Sequence, residues 1–249
     1  MRVLEADRSK LRNIPQSFKL SLSTIYFQRC TSKYFPGTLR WNTTGITVAG
    51  QADGTSGNGS NQLLYPNSVF LDSNEDMYIA DRNNYRIQKW LKGAVSGTTV
   101  AGNSADPNVD NQLKYPEDVY VTQQQMIYIS DSYNYRIQGF TNGNLSSGRV
   151  IAGITQTPGN ATNQLNDNEL FSFDSTNTYL YVADSNNHRI IRFLANSTGG
   201  DNGTVVAGGN GQGNNINQLN GPNCIYLDSI SNTMYIANKG TSLDVFVSQ

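Results

Sequence analysis

The sequence predicts an all-β protein assembled from repeated four-stranded units. A hairpin-like phrase returns several times along the 249 residues, and 23 glycines among many Asn, Ser and Thr residues suit short strands joined by turns. No long segment shows the 3.6-residue apolar period of an amphipathic helix. Because all-β domains often exceed the usual length per domain, we expect one large domain of antiparallel strands.

The clearest repeat is the stretch 77–90, which has the pattern of a β-hairpin. Its first strand begins Met77-Tyr-Ile-Ala, turn-forming residues follow from Asp81 to Asn84, and Arg86 begins a second strand. Copies occur at 127–140, 179–193 and, with fewer matching residues, 234–246. The shared motif Asp-x-x-Asn-x-Arg comprises Asp81, Asn84 and Arg86; Asp131, Asn134 and Arg136; and Asp184, Asn187 and Arg189.

Two shorter phrases accompany the hairpin and define the repeat length. Asn-Gln-Leu begins at positions 61, 111, 163 and 217, and Val/Ile-Ala-Gly ends at positions 50, 102, 153 and 208. Successive Asn-Gln-Leu phrases are therefore 50, 52 and 54 residues apart. This period is typical of propeller repeats and far from the periods of helical solenoids.

The complete pattern resembles the NHL repeat, which builds one blade of a β-propeller. The resemblance spans about residues 41–247 and implies four recognisable four-stranded blades after a degenerate N-terminal unit. Residues 1–19 carry no repeat phrase and are interpreted as a linker or non-repeat segment. The expected boundaries are 20–50 for the degenerate unit within a propeller of 20–249, and about 61–102, 111–153, 163–208 and 217–249 for the blades.

The fourth unit departs from the pattern, and the ring is therefore expected to be partial or minimal. Asn238 replaces the motif aspartate, the matching arginine is missing, and no outer-strand phrase follows. The resemblance implies six blades, which would exceed the available length. Two interpretations stay open: the strand Ile46–Gly50 closes a small ring, or the chain is cut from a larger one, which we favour.

The repeated charges are predicted to be structural. A carboxylate at a tight turn can accept backbone N–H bonds that the turn leaves unpaired, and an arginine across the hairpin can pair with it in two-point geometry. The segment Asp72–Asp76 resembles the opening of a calcium loop but lacks the glycine at the sixth position and the bidentate glutamate. We therefore predict no metal site and no cofactor.

The variable turn residues are better candidates for binding, because they should emerge on one side of the disc together. Aromatic and arginine side chains are common energetic anchors of such surfaces. An alternative is that Tyr85, Tyr135 and His188 pack between neighbouring blades. The candidates are Arg82, Asn83, Tyr85, Tyr133, Tyr135 and His188.

Six Asn-x-Ser/Thr sequons favour an extracellular or cell-surface location, although a chain rich in these residues also generates sequons by chance. No convincing signal peptide precedes the repeats. Cys30 and Cys224 either pair or are unrelated thiols. The candidate glycosylation sites are Asn42, Asn58, Asn144, Asn160, Asn196 and Asn202.

These features favour a noncatalytic scaffold that recognises a protein or glycan of unknown identity. A net charge of −1 argues against nucleic acid as a partner, and no apolar run reaches the length of a membrane span. NHL propellers also serve as substrate-binding domains of intracellular ubiquitin ligases, which makes a cytoplasmic protein of that kind the alternative. The second alternative is a metal-dependent lyase or lactonase, but His188 alone cannot form a histidine-rich zinc site and no catalytic motif occurs.

Overall fold

The computed structural model describes residues 2–3, 20–21, 46–102, 112–141, 148–228, 233–240 and 245–248. The part of the chain that it describes forms eighteen β-strands: β1 (Arg2–Val3), β2 (Leu20–Ser21), β3 (Ile46–Thr47), β4 (Pro66–Leu71), β5 (Met77–Asp81), β6 (Arg86–Trp90), β7 (Thr98–Ala101), β8 (Pro116–Val121), β9 (Met126–Asp131), β10 (Arg136–Thr141), β11 (Arg149–Gly153), β12 (Asn168–Phe173), β13 (Tyr179–Asp184), β14 (Arg189–Leu194), β15 (Thr204–Gly208), β16 (Pro222–Asp228), β17 (Thr233–Asn238) and β18 (Val245–Ser248).

The strands form successive antiparallel sheets, which we call blades. The first blade contains β4–β7 with β2 paired to β4, the second contains β8–β11, the third contains β12–β15, and β16–β18 form the fourth. The separate strands β1 and β3 pair with each other. The predicted all-β fold of four-stranded units is thus confirmed, although only three strands of the fourth blade lie among the described residues.

The hydrophobic core lies between successive blades because their faces are packed against each other. Tyr78 and Ile87 of the first blade share a buried cluster with Ile129 of the second. Similar clusters join the second blade to the third and the third to the fourth. This arrangement is propeller-like, and no closed ring is detected in the described ranges. Most of the expected unit at 20–50, Cys30 included, lies outside them.

The Asn-Gln-Leu phrase joins each loop to the core. Its leucine is buried in every copy, at positions 63, 113, 165 and 219. Its glutamine closes the preceding loop: the Gly59 N–H donates to Gln62 Oε1 at 3.2 Å. In the third blade, a Cβ atom added to Gly159 would clash with Gln164 Oε1. The phrase therefore anchors the chain where it returns from an outer strand to the next inner strand.

The end of each outer strand requires glycine. Gly153 has φ +83°, and an added Cβ atom would clash with the carbonyl oxygen of Tyr135. Gly102 and Gly208 also have positive φ and approach the carbonyls of Tyr85 and His188 in the same way. The repeated Val/Ile-Ala-Gly phrase therefore marks a close approach of two backbones at the same place in each blade.

Three 3₁₀ turns lie at one end of the blades, Arg82–Asn84, Ser132–Asn134 and Ser185–Asn187. They follow β5, β9 and β13, as the predicted hairpin requires. We call this end of the blades the turn side. No helix in the described ranges is long and apolar enough to cross a membrane.

Candidate binding surface

The Asp-x-x-Asn-x-Arg motif forms a buried hydrogen-bonded centre behind each turn. In the second blade, Asp131 Oδ1 accepts the Lys114 N–H at 2.6 Å. Asp131 Oδ2 accepts Asn134 Nδ2 at 3.0 Å and Arg136 Nε at 2.8 Å. The same three donors recur around Asp81 and Asp184. The motif residues therefore contact one another and not the binding surface.

The arginine does not adopt the two-point pairing that the sequence suggested. Only Arg86 Nε contacts the carboxylate of Asp81, because the other carboxylate oxygen accepts the Leu64 N–H. The terminal nitrogens of Arg86 instead donate to the carbonyl oxygens of Asn58 and Gly59, at 2.8 and 2.9 Å. Arg86 and Arg189 therefore tie their hairpins to the loop that precedes the blade, whereas Arg136 bonds both Gln112 before its blade and Thr155 after it.

Burial dominates the ionisation of the motif carboxylates. It raises the pKa of Asp131, while the Arg136 charge and the Lys114 and Asn134 donors oppose this shift. Burial also raises the pKa of Asp81 and Asp184. A charge at this position therefore depends on its complete set of donors.

The residue after each 3₁₀ turn has a left-handed backbone. Tyr85, Tyr135 and His188 have φ values of 54°, 56° and 52°. A second set of left-handed residues immediately precedes the inner strands, with φ values of 50°, 52°, 58° and 66° at Tyr65, Tyr115, Asp167 and Gly221. These two sets of positions meet on the turn side where neighbouring blades join.

Three tyrosines and an arginine come together where the first and second blades join. The Tyr115 ring centroid is 4.9 Å from that of Tyr85 and 4.6 Å from that of Tyr133. Arg82 Cζ lies 4.7 Å from the Tyr115 centroid, and Arg82 Nε is 2.6 Å from Glu117 Oε1. We call Arg82, Tyr85, Tyr115 and Tyr133 the tyrosine surface. Cation–π and edge-to-face contacts stabilise this arrangement.

The tyrosine surface is accessible, although its supporting carboxylate is buried. Tyr133 is 47% exposed, whereas Glu117 is only 8% exposed. Burial raises the pKa of Glu117, the ion pair with Arg82 opposes this shift, and the nearby charges of Glu169 and Asp167 add to it. Glu117 therefore holds Arg82 in place from below the exposed rings.

Glu117→Gln is expected to change how stability depends on pH. Because the folded pKa of Glu117 lies above its unfolded value of about 4.3, its contribution to stability is greatest below that value and is lost as pH rises through the folded pKa. The wild type should therefore lose stability relative to the variant across this window. Urea denaturation at several pH values measures the difference, and a pH-independent difference would contradict the assignment.

The other candidates lie at equivalent positions with fewer aromatic neighbours. His188 Nδ1 accepts the Gly221 N–H at 3.1 Å across the join between the third and fourth blades. The Tyr85 ring likewise contacts the Tyr115 ring of the neighbouring blade. Tyr135 is half-buried, and Asn83 Oδ1 accepts Arg82 Nη1 at 3.1 Å. Tyr85 and His188 thus both contact the neighbouring blade, which is the placement that the packing alternative required.

Tyr115 and Glu117 belong to the surface, but the sequence interpretation did not select them. Their only signal is the pair Tyr115-Pro116, which repeats Tyr65-Pro66 of the first blade. When the sequence of one blade is considered without its neighbour, Tyr115 and Glu117 look like ordinary residues at the start of a strand. Their contact with Arg82, 33 and 35 positions earlier, arises only from the packing of two blades.

The described sequons lie on exposed loops. Asn58, Asn160, Asn196 and Asn202 are exposed, whereas Asn42 and Asn144 lie outside the described residues. Asn202 Oδ1 accepts the Thr162 hydroxyl at 2.8 Å. Three of the four asparagine side chains have no such bond, so their loops leave room for a glycan.

The segment Asp72–Asp76 closes on itself as a turn. Asp72 Oδ1 accepts the N–H groups of Asn74 and Asp76, both at 2.9 Å. In the ranges that the structure describes, no group of three His, Cys, Asp or Glu side chains is arranged to hold a metal ion.

Comparisons with known proteins agree with this architecture. Residues 113–140 match the NHL repeat, and no curated protein matches the chain. Solved structures with a similar fold include an auxiliary nutrient binding protein from Bacteroides thetaiotaomicron VPI-5482 (TM-score 0.53, 14% identity, 74% of this chain and 53% of that chain). Another is an auxiliary nutrient binding protein from Bacteroides ovatus ATCC 8483 (TM-score 0.54, 14% identity, 76% and 52%). A third is the nidogen/laminin complex (TM-score 0.52, 18% identity, 72% and 58%).

At these identities the similarity concerns the fold. The chain spans between half and three-fifths of the length of these three structures. The matched repeat covers β8, β9, the turn after β9 and β10 up to residue 140, which is the part of the second blade that contains the Asp131 motif. The chain thus contains an NHL repeat, within a propeller-like all-β fold consistent with the NHL-repeat β-propeller family.

Proposed function

We propose that this chain is a noncatalytic recognition scaffold that binds a protein or glycan through the tyrosine surface. The observation that carries the proposal is the clustering of three tyrosines and Arg82 where the first and second blades join, an arrangement that the other described junctions do not repeat. Two of the similar structures are nutrient-binding proteins, which supports a binding role for a propeller of this kind.

The fold itself does not require the complete cluster. Tyr65 and Tyr135 repeat Tyr115 and Tyr85 in another blade, but Arg82 and Tyr133 are each replaced in the other two 3₁₀ turns. Tyr133 corresponds to Asn83 in the first blade and Asn186 in the third. Tyr115 corresponds to Gly221 in the fourth blade, where one hydrogen bond from Gly221 to His188 joins the blades. A junction with histidine and glycine in place of Tyr85 and Tyr115 therefore folds in the same molecule, which supports a functional reason for the tyrosines.

The cluster also has the physical properties of a binding anchor. Tyrosine buries a large area with few rotatable bonds, and both tyrosine and arginine are enriched among the residues that dominate binding energy. Tyr115 packs between Tyr85 and Tyr133, and Arg82 is held by Glu117, so the rings lose little further freedom when a ligand binds.

Tyr133→Asn is expected to weaken binding by about tenfold or more without lowering the melting temperature, because asparagine already occupies this position in two other blades. The measurement compares wild type and variant on one array that carries both oligosaccharides and peptides. Asn186→Ala, at the matching position of the third blade, is the control and should bind as the wild type does. Unchanged binding of every probe by Tyr133→Asn would reject the proposed surface.

We further propose that the protein is extracellular or attached to the cell surface. The exposure of four sequons in the described loops supports this location. Enzymatic removal of N-glycans from the protein purified from its native source should lower its intact mass. A mass that stays unchanged by this treatment would favour the intracellular alternative.

A further inference from the structure

We infer that the tyrosine surface recognises a neutral carbohydrate. This inference rests on the proposed function and narrows its ligand class. Its basis is the combination of edge-to-face and tilted phenol rings, two ion pairs and a rim of polar side chains in one place on the turn side.

The charges around the surface are largely paired with each other. Arg82 is 2.6 Å from Glu117, and Lys239 pairs with Glu169 on the adjoining part of the turn side. The Asp167 carboxylate, which accepts a hydrogen bond from Ser132, belongs to neither pair and leaves negative charge in excess. An anionic ligand would therefore be repelled here, whereas an uncharged ligand is not.

Polar groups with fixed orientation surround the rings. Asn83 is held by Arg82 Nη1, and Asp167 Oδ1 accepts the Ser132 hydroxyl at 3.3 Å. Arg82 Nη2 contacts no other described residue through a hydrogen bond. Amides, carboxylates and guanidinium groups supply the donors and acceptors that adjacent hydroxyl groups need. A hydroxyl-rich ligand is thus matched by both the planar rings and the polar rim.

A protein partner fits the same surface less well. Stable protein interfaces bury about 800 Å² on each side around an apolar centre. Among the exposed aliphatic side chains, Leu71, Leu91 and Leu194 end or follow β4, β6 and β14, and therefore lie at the opposite end of the blades. Ile216 is exposed on the turn side, but in the loop that enters the fourth blade and not where the first and second blades join. The tyrosine surface consists of aromatic rings and polar groups without such an aliphatic surround, which suits a stacked sugar ring.

The test uses immobilised neutral gluco-, galacto-, manno- and xylo-oligosaccharides together with a peptide set and sulfated oligosaccharides. We expect the wild type to bind at least one neutral oligosaccharide. Tyr133→Asn should bind it with an affinity lower by about tenfold or more, and Asn186→Ala should bind it with the wild-type affinity. Raising the salt concentration from about 50 mM to about 500 mM should leave this binding unchanged, because the ligand carries no charge that salt could screen. Melting temperatures of all three proteins serve as the folding check.

The possible results separate the inference from the proposed function. Binding to peptides alone, lost in Tyr133→Asn, would overturn the carbohydrate inference and leave the recognition surface in place. Binding to sulfated oligosaccharides alone, weakened by salt, would also overturn it. Neutral oligosaccharides bound equally by wild type and Tyr133→Asn would overturn both, and so would the absence of any binding to the three probe sets.

Discussion

Asp131→Ala is expected to lower the free energy of unfolding by about 3–5 kcal/mol. The substitution leaves the Arg136 guanidinium, which is 0% exposed, without its carboxylate. It also removes the acceptors of the Lys114 N–H and of Asn134 Nδ2. A buried guanidinium and two further donors would then lose the acceptor that they share in the wild type. Urea denaturation of wild type and variant measures the difference.

Two variants make this result specific. Asp53→Ala removes an exposed carboxylate from a loop and should leave the unfolding free energy nearly unchanged. Asp131→Asn keeps the side-chain shape but loses the charge, so it should lie between wild type and Asp131→Ala. A change below about 1 kcal/mol for Asp131→Ala would show that the motif does not carry the structural role assigned to it.

Gly153→Ala is expected to lower the free energy of unfolding by about 3 kcal/mol or more. Its φ of +83° disfavours any residue with a Cβ atom, and that atom would clash with the Tyr135 carbonyl oxygen. The Arg136 Cα and Leu165 Cδ1 atoms would lie only 3.1 and 3.2 Å away. Because these neighbours are backbone and core atoms, their displacement would cost considerable free energy. Thermal and urea denaturation provide the measurement.

Gly93→Ala is the matched control for the backbone conformation. Gly93 has φ +75°, and an added Cβ atom would have no heavy atom within 4 Å. It should therefore show only the left-handed cost of about 1–2 kcal/mol. Equal losses for the two variants would mean that the contact between outer strand and turn contributes nothing, contrary to the packing argument.

The repeated elements were predictable because their residues act within one blade. Asp131 and Arg136 are five positions apart, and the turn between them brings them together whatever the rest of the chain does. Short-range patterns of this kind, repeated about every fifty residues, are sufficient to predict the strands and the tight turns that join them, whereas the 3₁₀ form of these turns is a finding of the structure. The prediction that arginine and aspartate pair through two points was wrong for Asp81. The backbone N–H of residue 64, 17 positions before Asp81, occupies the other oxygen of the same carboxylate.

The binding surface was predictable only in part. The sequence selected Arg82, Tyr85 and Tyr133 as variable turn residues, but it offered no reason to join them to Tyr115 or Glu117. Those contacts join residues of two different blades, and a repeat in the sequence does not determine which residues of neighbouring blades come into contact.

The sequence by itself determined the fold class, the blade repeat and the residues of the buried motif, because each depends on local turn chemistry and strand periodicity. Tertiary structure alone decided that Tyr115 joins Tyr85 and Tyr133 and that Glu117 supports Arg82. The physical reason is that face-to-face packing of blades buries apolar area between them, and this packing fixes which turns become neighbours.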